Sequence, residues 1–414
     1  MSVEKEAMVS IEKRFVAAVV KMTKGCRDAR FCLQDDVSAR SSAATAPVRL
    51  REALFSDFNA VMELQRSCGL ARDSFERWEH LWQRNPALGQ LQFERPIGWV
   101  LEAEGRLVGY VGNISLLYRY GERALTAVTG CGFAVEPAYR AMSLCLVAAF
   151  YRQRSVDLYL TTTAAETVGR IARTFKSDPL PQADYETLLF WVLQPYPFAQ
   201  AVVKKIKLKP TLSHMSGMLA SLAIGADKIL RKRWPRCSTC FVVSEISVND
   251  IGDDFQALWM EKLNERPLLL ADRSPAALRW HFEIAANGGT TRVLCCYKNR
   301  ELLGYAVVRS EQNQAHGLRL SSIADMLAKR DDPAILRALW VAAYEHAKHV
   351  GSHVLAVIGF PYGIRQVCSQ WKPYLTEDSV CHFYYKAADP MLHKTLSDSM
   401  AWYATPFDGD TTLS

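Results

Sequence analysis

The residues best able to do chemistry in this 414-residue chain gather between Thr129 and Lys176. An apolar run from Gly130 to Val135 ends in Glu136-Pro137. Arg140 follows, and a second apolar segment opens at Ser143. Proline fixes φ and lacks an N–H, so it should take the chain out of a central strand. The spacing then predicts a short loop over 138–143. A helix follows from Ser143 to Arg154, with Leu144, Val147, Ala148 and Tyr151 on one face. A strand end, a loop bearing Arg140 and a helix N-terminus together make an anion site. Backbone N–H groups and the helix dipole both favour a pyrophosphate there. A further β-type run, Asp157 to Thr163, and a helix from Val168 to Lys176 complete the stretch.

The thiols point elsewhere. Eleven cysteines are scattered, mostly in apolar runs such as those holding Cys145, Cys295, Cys296 and Cys381. That is the pattern of buried thiols in a reducing compartment. Cys237-Ser-Thr-Cys240 has CxxC spacing, but no second pair and no histidine pair completes a zinc site, so no metal is expected.

Composition bounds the rest. With 49% hydrophobic residues, ten Trp and sixteen Tyr, the chain should fold, and its length allows two or three domains. The net charge of +7 is local: from Lys204 to Arg233, six Lys and two Arg stand against Asp227, and eight minus one equals the excess of the whole chain. This argues for one basic connecting segment rather than a nucleic-acid-binding protein. Such a segment is either an interdomain helix pair with a solvated basic face or an attachment to an anionic membrane surface. No apolar run reaches spanning length and no cleavable leader is evident, so a cytoplasmic location is expected. If Lys204–Arg233 meets lipid, that location extends to the periphery of the inner membrane face.

In order, residues 1–46 form an extension and linker, with Ile11, Phe15, Val19 and Met22 at helical spacing. A unit over 47–195 holds a strand at Val48–Arg51, helices ending near Leu64 and Arg84, and a hairpin turning at Ala103-Glu104-Gly105-Arg106. The Thr129–Lys176 stretch comes next, and Tyr185–Leu193 is the last strand. A basic helical linker spans 196–236. The unit over 237–388 repeats the first in outline: Gly304-Tyr305-Ala306 matches Gly109-Tyr110-Val111, and Val380–Lys386 is its final strand. A tail covers 389–414.

The element order over 48–193, and Arg140-Ala141-Met142-Ser143-Leu144-Cys145 within it, resemble the coenzyme-A site of the GNAT acyltransferase family. That family's signature is Arg/Gln-x-x-Gly-x-Gly/Ala. Arg140 matches it, while Ser143 and Cys145 stand at the two small-residue positions. The resemblance implies an α/β chain of two GNAT-like domains in tandem, with mixed central sheets flanked by helices. The second half is expected to be degenerate, because Asp331 and Asp332 precede its long helix and would repel a pyrophosphate.

The resemblance also implies a CoA-dependent N-acyltransferase, first of all an acetyltransferase. Acetyl-CoA or another acyl-CoA would be the co-substrate, and a small-molecule or sugar amine the acceptor. Phe133, Ala134, Val135, Tyr139, Arg140, Ala141, Met142, Ser143, Leu144 and Cys145 would hold the co-substrate. A backbone N–H at Phe133–Val135 would polarise its thioester carbonyl. Glu136 is the first choice of base, with Tyr185 or Tyr139 as acid. Ala165 stands where the family often has Asn, and Glu166 is expected to cap the next helix. Cys131 and Cys145 lack a nearby His to activate a thiol and are not expected to be nucleophiles. Asp408-Gly409-Asp410 is a turn with exposed carboxylates or, alternatively, an acidic contribution to the amine site. Two other readings remain open: an aminoacyl transferase of FemAB type using charged tRNA, and a non-catalytic GNAT-fold binding protein.

Overall fold

The computed structural model describes residues 47–413 except 72, 92–93, 165, 206–209, 232, 236–240, 285–289, 314–316 and 377–381. The N-terminal extension, Ala165, Lys207, Lys209, Cys237, Cys240 and Cys381 lie outside the described residues. The side chain of Glu166 does too.

Two mixed sheets organise the molecule. The first runs β1 (Arg49–Glu52), β2 (Gly98–Ala103), β3 (Arg106–Tyr120), β4 (Arg123–Val135), β5 (Leu158–Ala164), β15 (His382–Ala387) and β6 (Asp178–Pro179). The second runs β8 (Val242–Ile246), β10 (Thr290–Lys298), β11 (Glu301–Gln312), β12 (Arg319–Ala328), β13 (Val354–Val357), β7 (Leu188–Val192) and β14 (Tyr374–Thr376). A short β9 (Leu269–Ala271) pairs with the far end of β3. Each sheet has one parallel pair, β4 with β5 and β12 with β13. The two sheets therefore share one plan of antiparallel strands with a single parallel pair.

Local chemistry explains the hairpins. Glu104 and Gly105 both have positive φ, at 53° and 74°, which is the two-residue turn that suits the twist of paired strands. Asn299 and Arg300 make the same turn in the second half, at 50° and 69°.

The structure corrects the expectation that each unit closes its own sheet. The first unit's last strand, β7, lies between β13 and β14 of the second sheet, and the second unit's last strand, β15, lies between β5 and β6 of the first. The two halves thus exchange their last strands. Burial holds the exchange in place. All five residues of β7 are buried. Trp191 packs edge-on against Trp340 at 4.9 Å, and Trp340 stacks on Trp371 at 4.3 Å. In return, Phe383 and Tyr385 of β15 pack against Trp402. Aromatic groups of this size bring large buried areas to each contact.

Candidate active site

The parallel pairing of β4 and β5 covers only Ala127 with Leu158, Val128 with Tyr159 and Thr129 with Leu160. Beyond these residues β4 continues to Val135 and β5 to Ala164 without a shared register, so the sheet opens into a V. A β-bulge bends β4 at the mouth of this V. Tyr110 opposes Ala134 but Gly112 opposes Cys131, so one extra residue sits on β4. Gly132 takes φ +58° there, and a Cβ on it would lie 2.5 Å from Gln65 Nε2, which donates to the Gly132 carbonyl at 3.0 Å. Phe133 and Val135 pack on the side of Phe150 and Tyr139, while Ala134 packs with Trp78 and Tyr110 on the other face.

At the end of β4 the expected loop is wound. Pro137–Met142 is a 3-10 turn running directly into the helix Ser143–Tyr151. Pro137 presets the first helical φ and no glycine interrupts the segment, so it winds. Arg140 is half-buried in this turn, and Met142, Ser143 and Cys145 are half-buried too; Ala141 and Leu144 are exposed. Among the described residues, no side chain caps the helix Ser143–Tyr151 and no acid lies in its first turn, which leaves its positive end available to an anion. The matching helix of the second half, Pro333–His349, is capped by Asp332, which accepts from the Ala334 N–H at 2.7 Å. Asp331 there pairs with Lys262 at 2.7 Å.

Around the V, the three expected catalytic side chains are placed as follows. Glu136 forms an ion pair with Arg106 of β3, the strand on the far side of β4 from the opening. Tyr139 is buried among Trp99, Leu101, Val108 and Val111. The Tyr185 hydroxyl donates to the Thr405 carbonyl at 3.0 Å. The structure does not bring these three together.

Instead it brings in the C-terminal tail. Asp408 and Asp410 are buried, not exposed, which corrects the expectation of a surface turn. Asp410 accepts from the Thr162 hydroxyl at 2.6 Å and the Thr163 hydroxyl at 3.0 Å, both on β5 just past the last paired residue. Its own N–H donates to Thr162 Oγ1 at 3.1 Å. Leu413 then packs with Ile114 of β3 and Cys131 of β4. The tail therefore runs from β5 to the face of the sheet that carries Ile114 of β3 and Cys131 of β4. Burial pushes the Asp410 carboxyl above the ordinary carboxylate range, and the two threonine hydroxyls oppose the rise. Burial also raises the Cys131 thiol well above its usual value, with Asp410 adding to the effect, so Cys131 stays protonated and unreactive. The buried Tyr110 hydroxyl, which has no hydrogen-bond partner among the described residues, flanks Gly112 together with the Cys131 thiol.

A buried ion network anchors the tail from the second half. Arg273 makes a two-pronged pair with Asp325 at 3.0 and 3.1 Å and donates to Thr405 Oγ1 at 3.0 Å. Asp408 lies 3.6 Å from Arg273 and accepts from the Tyr118 hydroxyl at 2.9 Å. Burial lifts the Asp408 carboxyl to about 6 against the pull of Arg273. Because its folded value lies above its unfolded one, the folded state holds this proton more tightly. The stability Asp408 contributes is full below pH 4 and is lost as pH rises toward 6. Asp408→Asn is expected to remove that component, on the order of 2 kcal/mol, from the pH dependence of urea unfolding between pH 4 and 6.

In the second sheet the corresponding space is filled. The Tyr403 hydroxyl donates to the Met326 carbonyl at 2.9 Å, and Tyr185 and Pro406 pack on Gly359 just past β13. The sequence offered one signal for the tail's role, the Asp-Gly-Asp ending, and one for its partner, the run Thr161-Thr162-Thr163 on β5. Nothing in either marks them as neighbours.

No protein-family model and no curated protein sequence matches the chain. Solved structures do. A GCN5-related N-acetyltransferase from Anabaena variabilis aligns over 83% of this chain and 73% of its own, at TM-score 0.52 and 10% identity. One from Kribbella flavida aligns over 84% and 73%, at TM-score 0.51 and 13% identity. The chain has the GCN5-related N-acetyltransferase fold, with two mixed sheets flanked by helices. No helix among the described residues is long and apolar enough to cross a membrane.

Proposed function

We infer that the protein is an acyl-CoA-dependent N-acyltransferase whose single working site is the V between β4 and β5. The observation that carries this reading is the opening itself: paired strands that part after Thr129 and Leu160, with an uncapped helix start at one end and a buried carboxylate at the other. Acyl-CoA would supply an activated thioester. Arg140 and the backbone of Tyr139–Cys145 would hold its pyrophosphate, at a helix whose first turn carries no acid. The strand edge at Phe133–Val135 would line the acyl end and offer N–H groups to the thioester carbonyl.

An amine acceptor arrives protonated at pH 7 and must lose a proton before it attacks. Asp410 is the group placed for this step. It lies against β5, held by Thr162 and Thr163 just past the residues paired with β4, and its raised proton affinity makes it a stronger base than an ordinary carboxylate. Glu136 is engaged with Arg106 on the other side of β4, which favours Asp410 over it. The acceptor class that suits this site is a small molecule or sugar bearing a primary amine. The capped helix and the filled space by β13 support a second half without a co-substrate site.

The test is binding. Acetyl-CoA at roughly 100 times its dissociation constant should stabilise the protein by about 2.7 kcal/mol, read as a raised melting temperature. Arg140→Glu should abolish the shift. Absence of a shift with acetyl-CoA and with longer acyl-CoA thioesters would sink the reading.

A further inference from the structure

The helix Pro210–Leu230 is amphipathic in the wrong sense for a surface helix. Met218, Leu219, Leu222, Ile229 and Leu230 are 62–80% exposed, and Ala223 and Ala226 between them are exposed too. These positions share one face at helical spacing. Polar groups on its other face point inward. Gly217 is buried against Gln200, and the Lys228 ammonium donates to the Leu193 carbonyl at 3.0 Å. Asp227 pairs with Arg231 and Arg233, each at 2.7 Å, and accepts from the Tyr374 hydroxyl at 2.6 Å. Among the described side chains of this helix, Ile224 alone packs against an apolar core cluster. A contiguous apolar face of this kind on the outside of a folded chain needs an occupant.

Charge selects among the candidates. Lys204 is exposed, and Lys205, Lys207 and Lys209 follow it in sequence before the helix; Arg231 is largely exposed and Lys232 follows at its other end. The apolar face is therefore bracketed by cations. A second copy docked on the same face would set two such clusters against each other. The amphipathic stretch at residues 1–25 carries five basic residues against three acidic ones, five minus three, so it too is positive. An anionic lipid surface complements both features, because the headgroups meet the cations while the acyl boundary takes the apolar side chains.

We propose that the outer face of the helix Pro210–Leu230 is an interfacial lipid-binding surface that docks this protein on an anionic membrane. Met218, Leu219, Leu222, Ile229 and Leu230 enter the headgroup boundary, and Lys204 and Arg231 hold the phosphates. The helix lies in the plane of the membrane and does not cross it.

Co-sedimentation of the full chain with vesicles tests this. The protein should pellet with vesicles of phosphatidylcholine and phosphatidylglycerol in roughly a 3:1 ratio, and far less with phosphatidylcholine alone. Leu219→Glu combined with Leu222→Glu should weaken the partition roughly tenfold or more, with an unchanged melting temperature. Lys204→Gln with Arg231→Gln should weaken binding to the mixed vesicles and reduce its sensitivity to salt. Equal binding to both vesicle types, no binding to either, or a dimer in light scattering that the leucine variant converts to monomer would each overturn the proposal.

Discussion

Asp410→Asn is expected to lower kcat for amine acylation by about 10²–10⁴-fold, the usual contribution of a positioned base. The substitution keeps the shape of the side chain and can still bond Thr162 and Thr163, so the melting temperature should change little. What it removes is the ability to take a proton. The wild-type rate should fall on the acid side of its pH profile, with an apparent value above that of an ordinary carboxylate, because burial holds the Asp410 proton more tightly. The base works only when deprotonated, so activity rises as pH increases through that value. In Asp410→Asn this acid limb should disappear along with most of the rate. A variant that keeps full kcat and the same acid limb would show that the proton goes elsewhere.

Arg273→Met is expected to cost about 3–5 kcal/mol of stability in urea unfolding. Arg273 is 1% exposed and Asp325 is fully buried, so removing the cation strands a carboxylate out of reach of water. Met fills much of the lost volume, which separates the charge effect from a cavity effect. Arg273 also donates to Thr405 and lies beside Asp408, so the tail should loosen as well. Acetyl-CoA binding by the folded fraction should persist, since the co-substrate end of the V is built from β4 and the helix Ser143–Tyr151. Unchanged stability would mean that water already reaches this network.

The sequence made much of the first site legible. Pro137, Arg140 and the apolar runs on either side placed a strand end and a helix start where the structure has them. The cap at the second helix was equally clear, because Asp332 before Pro333 is a purely local signal. The wound turn over Pro137–Met142 was not expected, since the family pattern carries glycines and this chain does not. The strand exchange was hidden for a deeper reason. Leu188–Val192 and His382–Ala387 both carry strand propensity, and that sets what forms but not what it pairs with. The Asp-Gly-Asp ending was legible as an alternative acidic contribution, but the burial of Asp410 was not: its partners Thr162 and Thr163 lie 248 and 247 positions away, and a short tail has no periodicity to betray its burial. The basic linker was half legible. Its charge is real, but Arg233 is spent on Asp227 and Lys228 on a backbone carbonyl, which no count of cations reveals.

The exchanged strands also govern how this protein can come into being. A ribosome delivers β5 long before β15, the strand that must lie beside it, and it delivers β7 before the second sheet exists. During synthesis the N-terminal half has an open strand edge and an apolar strand with nowhere to pack, the kind of surface that invites aggregation. Neither half can complete its sheet on the growing chain until the other's strand arrives, and the first sheet waits for β15. The crossing of β7 and β15 ties the two halves into one inheritance: a cut or recombination between them leaves two incomplete sheets rather than two proteins.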